Sequence, residues 1–226
     1  MGGIAFPILL SLLAPFLEAG DIEGRVVITR ALTKKRVVVD LYAPRGGASA
    51  TLTAPEDLSE WDRTVVFVDA TLPSTKVTRT ERMNQKNRRF EREVLVIPAG
   101  DSVTFPNGDP IFHNVFSLSK AKSFDLGYYP QGQTRTVRFE KPGPVQLFCH
   151  IHTNMNAAIL VVPNSFFAQP SPNGEFRITN VPAGHYTLRL WHKSAGYMRQ
   201  TIDVPVSGTV NAHFSLPLAT VKSIGP

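Results

Sequence analysis

The sequence predicts an all-β protein made of two β-sandwiches. Three observations carry this: 16 Gly and 18 Pro punctuate the 226 residues with turns, short alternating runs recur throughout, and no stretch holds a helical period. The length leaves room for two small domains, each with its own core.

The first region, Gly20 to about Thr75, offers strands at Gly24–Thr29, Arg36–Tyr42 and Thr64–Ala70. The connection from Ala43 to Arg63 carries Gly46-Gly47 and Pro55-Glu56-Asp57 and reads as a loop or at most a short helix. The second region runs from about Met83 to Pro163. Val94–Ile97 is closed by the turn Pro98-Ala99-Gly100-Asp101; Ser102–Phe105 and His113–Leu118 follow. Thr134–Glu140 puts Val137 and Phe139 on one face, the turn Lys141-Pro142-Gly143 reverses the chain, and Val145–Cys149 and Ala157–Val162 complete the set. In the third region, Asn164 to Leu216, strands fall at Glu175–Ile178, Tyr186–Trp191, Gln200–Val206 and Thr209–Leu216, with a turn at Asn180-Val181-Pro182-Ala183-Gly184. Tyr186, Leu188 and Leu190 share one face. A sheet this small needs a cover, and the strands of the first region are the ones to supply it.

One constellation carries chemistry. A copper ion that cycles between Cu(I) and Cu(II) with little rearrangement needs two imidazoles and a thiolate near one plane, and a weak thioether on the axis. Cys149 ends an apolar strand, with His152 and Met155 each three residues further on, so a tight inter-strand loop converges all three on one point. The second imidazole must come from a neighbouring strand end, and His113, after the turn Asn107-Gly108-Asp109-Pro110, fits. His150 adjoins Cys149 on a strand, where neighbours point to opposite faces, so it is expected to turn away from the metal.

The stretch Pro98–Asn107 (PAGDSVTFPN) followed by His113-Asn114-Val115 resembles the plastocyanin and amicyanin family of cupredoxins, and the Cys149-x-x-His152-x-x-Met155 spacing is nearer amicyanin. The resemblance covers about Val94 to Val162. It implies a cupredoxin-like Greek-key sandwich holding one type 1 copper on His113, Cys149, His152 and Met155, with Asn114 tying the two ligand loops together by hydrogen bonds. The pattern Gly174-x-Phe176-x-Ile178…Val181-Pro182-x-Gly184-x-Tyr186-x-Leu188 resembles the carboxypeptidase regulatory-like sandwich, a non-catalytic module whose first strand commonly opens like Glu23-Gly24-Arg25-Val26-Val27. The implied organisation is a signal peptide over 1–19, a discontinuous regulatory-like sandwich over 20–75 and 164–217, and a copper domain over 76–163. The whole resembles bacterial plastocyanin-like proteins labelled as methylamine utilisation proteins.

Other chemistries fit worse. Zinc wants four strong ligands and a thioether is a poor fourth. A dinuclear copper centre needs two bridging thiolates, and the chain has a single Cys. A Cys-His hydrolase needs an orienting partner and an oxyanion hole, and the His-x-x-Met packing around Cys149 offers no evident substrate pocket. The expectation is a redox carrier and not an enzyme, its rivals being a copper-delivery protein with the same ligands and a non-redox interaction module.

The charge balance is +6, with a basic run from Lys76 to Arg92. Glu81, Glu91 and Glu93 interrupt it, and no recognition helix or stacking strand accompanies it, which argues against nucleic acid. It reads as a solvated strand or linker face, or as a docking site through Arg82, Lys86, Arg88 and Arg89 for an acidic redox partner. Ile4–Leu17 is apolar, yet shorter than the about 20 residues of a spanning helix and broken by Pro7 and Pro15. It reads as a secretory signal cut after Ala19, leaving no transmembrane span in the mature chain, with an uncleaved anchor as the alternative. Either way the folded part is expected outside the cytoplasm, in the periplasm.

Overall fold

The computed structural model describes residues 18–30, 32, 59–72 and 78–216. The expected strand Arg36–Tyr42, Lys76 and most of the signal segment lie outside these residues. All regular structure within them is β, apart from one 3-10 turn at Glu60–Arg63. No helix among the described residues is long and apolar enough to cross a membrane.

The strands are β1 (Ala19–Ile28), β2 (Thr64–Val68), β3 (Thr80–Arg82), β4 (Gln85–Lys86), β5 (Arg89–Phe90), β6 (Val94–Pro98), β7 (Ser102–Pro106), β8 (His113–Leu118) and β9 (Ser123–Tyr129). They continue as β10 (Thr134–Arg138), β11 (Gly143–Phe148), β12 (Asn156–Val162), β13 (Phe167–Ala168), β14 (Glu175–Pro182), β15 (Gly184–His192), β16 (Gly196–Val204) and β17 (Thr209–Leu216).

The central sandwich pairs a five-stranded sheet, β6-β12-β11-β8-β9, with a three-stranded one, β10-β7-β3. The chain crosses between these sheets after β6, β7, β9 and β10, which gives the crossed connections of a Greek key. Alternation along each strand sends Leu95, Ile97, Val103, Phe105, Val115, Val137, Leu147 and Ile159 into a common core.

The outer strands form a second pair of sheets. Strand β1 lies between β14, antiparallel, and β17, parallel, so one sheet joins both ends of the chain. Facing it is the sheet β13-β2-β15-β16, and Ile22, Val26, Val66, Val68, Leu188, Leu190 and Phe214 pack between the two. Gly24 makes this sheet possible: a Cβ there would sit 1.9 Å from the Ala212 carbonyl oxygen and 2.7 Å from the Phe176 ring. Strand β1 begins at Ala19, and Glu18 accepts a hydrogen bond from Ala183 N–H (3.0 Å). A cut after Ala19 would therefore remove the first rung of this pairing, Ala19 opposite Pro182.

The two sandwiches also pack on each other. Val65 and Phe67 of β2 with Trp191 of β15 meet Val94 of β6 and Ala158, Leu160 and Val162 of β12 in a third apolar cluster. The result is a stack of four β layers. Every residue of β2 is buried because its sheet is covered on both faces.

Three details depart from the expectations. Strand β9 occupies a stretch where the sequence pattern assigns no strand, and the β4–β5 hairpin lies in the basic run read as a solvated strand or linker face. The expected turn over Asn180–Gly184 is narrower, because β14 runs to Pro182 and β15 starts at Gly184; Asn180 takes φ 56° within the strand.

Candidate metal centre

The ligand loop is closed by backbone hydrogen bonding before any side chain is considered. Strands β11 and β12 pair down to Phe148 opposite Asn156, and residues 149–155 form the loop between them. Within it, the Met155 N–H donates to the His152 carbonyl (2.9 Å), a turn that draws the two side chains to one side. Cys149 and Met155 are both buried in the central core.

His113 enters from β8, whose neighbour across the sheet is β11. Its ring is fully buried. One nitrogen, Nε2, lies 2.8 Å from Asp109 Oδ2, and the other, Nδ1, has no hydrogen-bond partner. A carboxylate at Nε2 fixes the proton there and leaves the Nδ1 lone pair free. One donor atom each from His113, Cys149 and His152 lie within 4.8 Å of one another, and the His152 Nδ1 to Cys149 Sγ separation is 3.7 Å. The two imidazoles meet edge to face at 4.9 Å between centroids. His152 is half-buried; burial, the neighbouring His113 and Arg88 push its pKa down, so the ring is held neutral, as a ligand must be.

These residues fit a copper ion. Donors about 2.0–2.3 Å from one ion lie roughly 3.3–4 Å apart, the range of the sulfur–nitrogen separation here. A buried imidazole nitrogen without a partner costs about 1–3 kcal/mol, which an ion at that point would remove. The set of two imidazoles and a thiolate, with a buried thioether closing the loop, suits copper better than hard cations. Among the described residues this is the one group of His, Cys and carboxylate donors spaced for a metal.

Asn114 spans the two ligand segments. Its Oδ1 accepts from the His150 backbone N–H (3.4 Å), and its Nδ2 donates to Asp125 Oδ1 (2.6 Å) and to the Gly127 carbonyl (3.3 Å). His150 itself points away from the donors. It stacks on Phe116 at 3.9 Å and 5° and approaches Asp125 Oδ2 at 3.3 Å. His185 and His213 lie on the outer sandwich, as does His192, which is buried and hydrogen-bonded to Glu60 (2.9 Å).

Arg82, Lys86, Arg88 and Arg89 are exposed around the β4–β5 hairpin. Its two-residue turn, Asn87-Arg88, holds φ 55° and 56°, an uncommon state for residues with a Cβ. Asp109 compensates, accepting from Asn87 N–H (2.7 Å) and Arg88 N–H (2.8 Å) while it holds His113. Asp109 thus joins the basic hairpin to a donor ring. Sequence reasoning placed it only in a turn; its partners come from a hairpin about twenty residues upstream, and no local pattern signals that.

No protein-family model and no curated protein sequence matches the chain. Among solved structures, it is similar to cupredoxins. A novel purple cupredoxin from Nitrosopumilus maritimus shares 22% identity over 36% of this chain and 98% of its own, with a TM-score of 0.33. Amicyanin from Paracoccus versutus shares 20% identity over 42% of this chain and 96% of its own, with a TM-score of 0.35. A Cu-containing nitrite reductase from Thermus scotoductus shares 21% over 41% of this chain but only 25% of its own, with a TM-score of 0.35.

Proposed function

We propose that this chain is a type 1 (blue) copper protein that carries single electrons between redox proteins in the periplasm and catalyses no reaction of its own. The observation that carries it is the buried His113 Nδ1, without a partner and set beside Cys149 and His152. His113, Cys149 and His152 would hold the ion, with the buried Met155 thioether as a weak fourth donor. Copper bound there supplies a one-electron couple. The protein's part is to keep the donors from moving: Asp109 locks the His113 ring, the His152–Met155 turn and the Phe148–Asn156 pair lock the loop, and Asn114 ties one to the other. Burial of Cys149 and His113 keeps water and hydrolysable substrates away, which favours a resident ion over an exchangeable cargo.

Exposed Ile111, Phe112 and Ile151 flank the candidate donors in sequence, and Asp109 ties the Asn87-Arg88 turn of the exposed basic hairpin to the His113 ring. This apolar rim with a basic flank fits an acidic redox partner. The outer sandwich is read as a regulatory-like, non-catalytic module.

Reconstitution with Cu(II) tests the reading. The expected result is an intense thiolate-to-copper absorption that Cys149→Ala abolishes, and a reversible wave in voltammetry. A colourless protein with weak copper affinity overturns it, and a coloured protein with rapidly exchanging copper and no reversible wave indicates delivery instead.

A further inference from the structure

A side chain of the outer sandwich, Lys193, reaches Asn156, the residue that follows the ligand loop. At the end of the apolar contact between the sandwiches, five ionisable groups come together: Glu60 and Arg63 of the 3-10 turn, Glu93 before β6, and His192 and Lys193 at the β15–β16 turn. The His192 Nε2 to Glu60 Oε2 separation is 2.9 Å, and Arg63 stands 3.9 Å from Glu60 and 3.7 Å from Glu93. Lys193 Nζ donates to Glu93 Oε2 (2.5 Å) and reaches Asn156 Oδ1 (3.4 Å). Ser194 and Ala195 N–H both donate to His192 Nδ1 (3.1 Å each), which places the ring proton on Nε2, toward Glu60.

Among the described residues, with His192 neutral, Arg63 and Lys193 offset Glu60 and Glu93, and the five groups are largely shielded from water. Groups in this state have narrow geometric freedom, because any one of them released would leave a shielded charge without a counter-ion. Lys193 is the member that faces the loop. Asn156 follows Met155 and pairs with Phe148, which precedes Cys149. Glu93 is anchored to the same strand, since its carbonyl accepts from Ala158 N–H (2.9 Å).

We propose that Lys193 is a positioning residue through which the outer sandwich braces the ligand loop: it pins the Phe148–Asn156 closure from outside, while Asn114 pins the loop from within the central sandwich. For its consequence at copper this rests on the reading above; the brace itself does not need the metal.

The test is amide hydrogen exchange on the metal-free full-length chain, comparing wild type, Lys193→Met and Lys193→Arg. The amides of Met155 and of the Phe148–Asn156 closure are expected to exchange about tenfold faster in Lys193→Met, with those of β1, β14 and β17 unchanged and Lys193→Arg near wild type. Loop exchange within twofold of wild type overturns the brace; so does equal acceleration in loop and outer sheet, which marks general destabilisation. If Lys193→Met does not fold, Lys193→Gln, which is one bond shorter and keeps a donor but loses the charge, takes its place in the same comparison. On copper-loaded protein the thiolate-to-copper spectrum should move in Lys193→Met and return in Lys193→Arg. A wild type that takes up no copper yet shows the exchange pattern defeats the copper reading and leaves the brace standing. A blue wild type with an unmoved loop in Lys193→Met defeats the brace alone.

Discussion

Replacing Asp109 with Ala should damage folding and metal affinity together, because one buried carboxylate serves both. Three hydrogen bonds end on it, from Asn87 N–H (2.7 Å), Arg88 N–H (2.8 Å) and His113 Nε2 (2.8 Å). Burial alone pushes the Asp109 carboxyl up, but hydrogen bonds from Arg88, His113 and Asn87 outweigh it and leave it below the usual range, so the anion is the form bound. In the Ala variant, water can satisfy the two turn amides, since Asn87 and Arg88 are exposed, and each loss stays at about 0.5–1.5 kcal/mol. His113 has no such recourse: its buried Nε2–H is stranded at a cost of about 1–3 kcal/mol. Together the apo-protein loses about 2–6 kcal/mol.

Metal affinity should fall by about ten- to a hundredfold, since nothing then fixes the ring and its free nitrogen toward Cys149 and His152. Urea unfolding of the apo-protein and competitive titration of Cu(I) against a chelator measure the two effects. Nitrogen-15 spectra of His113 should show a bare Nδ1 in wild type and a mixture of tautomers in the variant. Asp109→Asn, which keeps one acceptor, should fall between. A variant with wild-type stability, tautomer and affinity would refute the idea that Asp109 holds the ring.

Three other expectations can be checked on the same material. Trp191→Ala opens the contact between the sandwiches and should cost about 3–5 kcal/mol, seen as a lower urea midpoint; an unchanged midpoint would mean the two halves do not stabilise each other. Burial raises the Tyr129 phenol to about 12, so its contribution is complete below pH 10 and is lost as pH rises from 10 to 12, by about 2–3 kcal/mol; Tyr129→Phe should flatten stability over that window alone. Charge reversal of Arg88 and Arg89 to Glu should slow reduction of ferricyanide by the Cu(I) protein and weaken its dependence on ionic strength, and equal rates at low salt would count against a basic docking face.

The sequence pointed to the loop candidates and to the strands for one reason: both depend on short spacing. Cys149, His152 and Met155 are local, and the alternation in His113–Leu118 and Thr209–Leu216 set strand bounds that the structure reproduces. What stayed hidden depends on contacts across long separations. Strand β9 carries Gly127 at φ 64° and pairs with β8 through a register shift between Asn114 and Phe116, so its alternation is broken where it would have been read. The β4–β5 hairpin turns on Asn87-Arg88, not on the Asn-Gly pair that marks such turns, and it holds that turn by borrowing Asp109. Lys193 follows the last residue of an outer strand and looks like any surface lysine until the Asn156 contact is seen.

The four-layer stack, by contrast, left a mark in the sequence. In Asn156-Ala-Ala-Ile-Leu-Val-Val162 the apolar residues do not alternate with polar ones, which a strand covered on one face would require. The structure resolves the run by parity: Ala157, Ile159 and Val161 fill the central core, and Ala158, Leu160 and Val162 meet Val65, Phe67 and Trp191 of the outer sandwich. The strand that closes the ligand loop at Asn156 is therefore the same strand that glues the two sandwiches together. Any motion of one sandwich on the other must disturb β12, and β12 has one end at the donors. A sandwich standing alone would need that face of β12 to be polar; here the outer sandwich covers it.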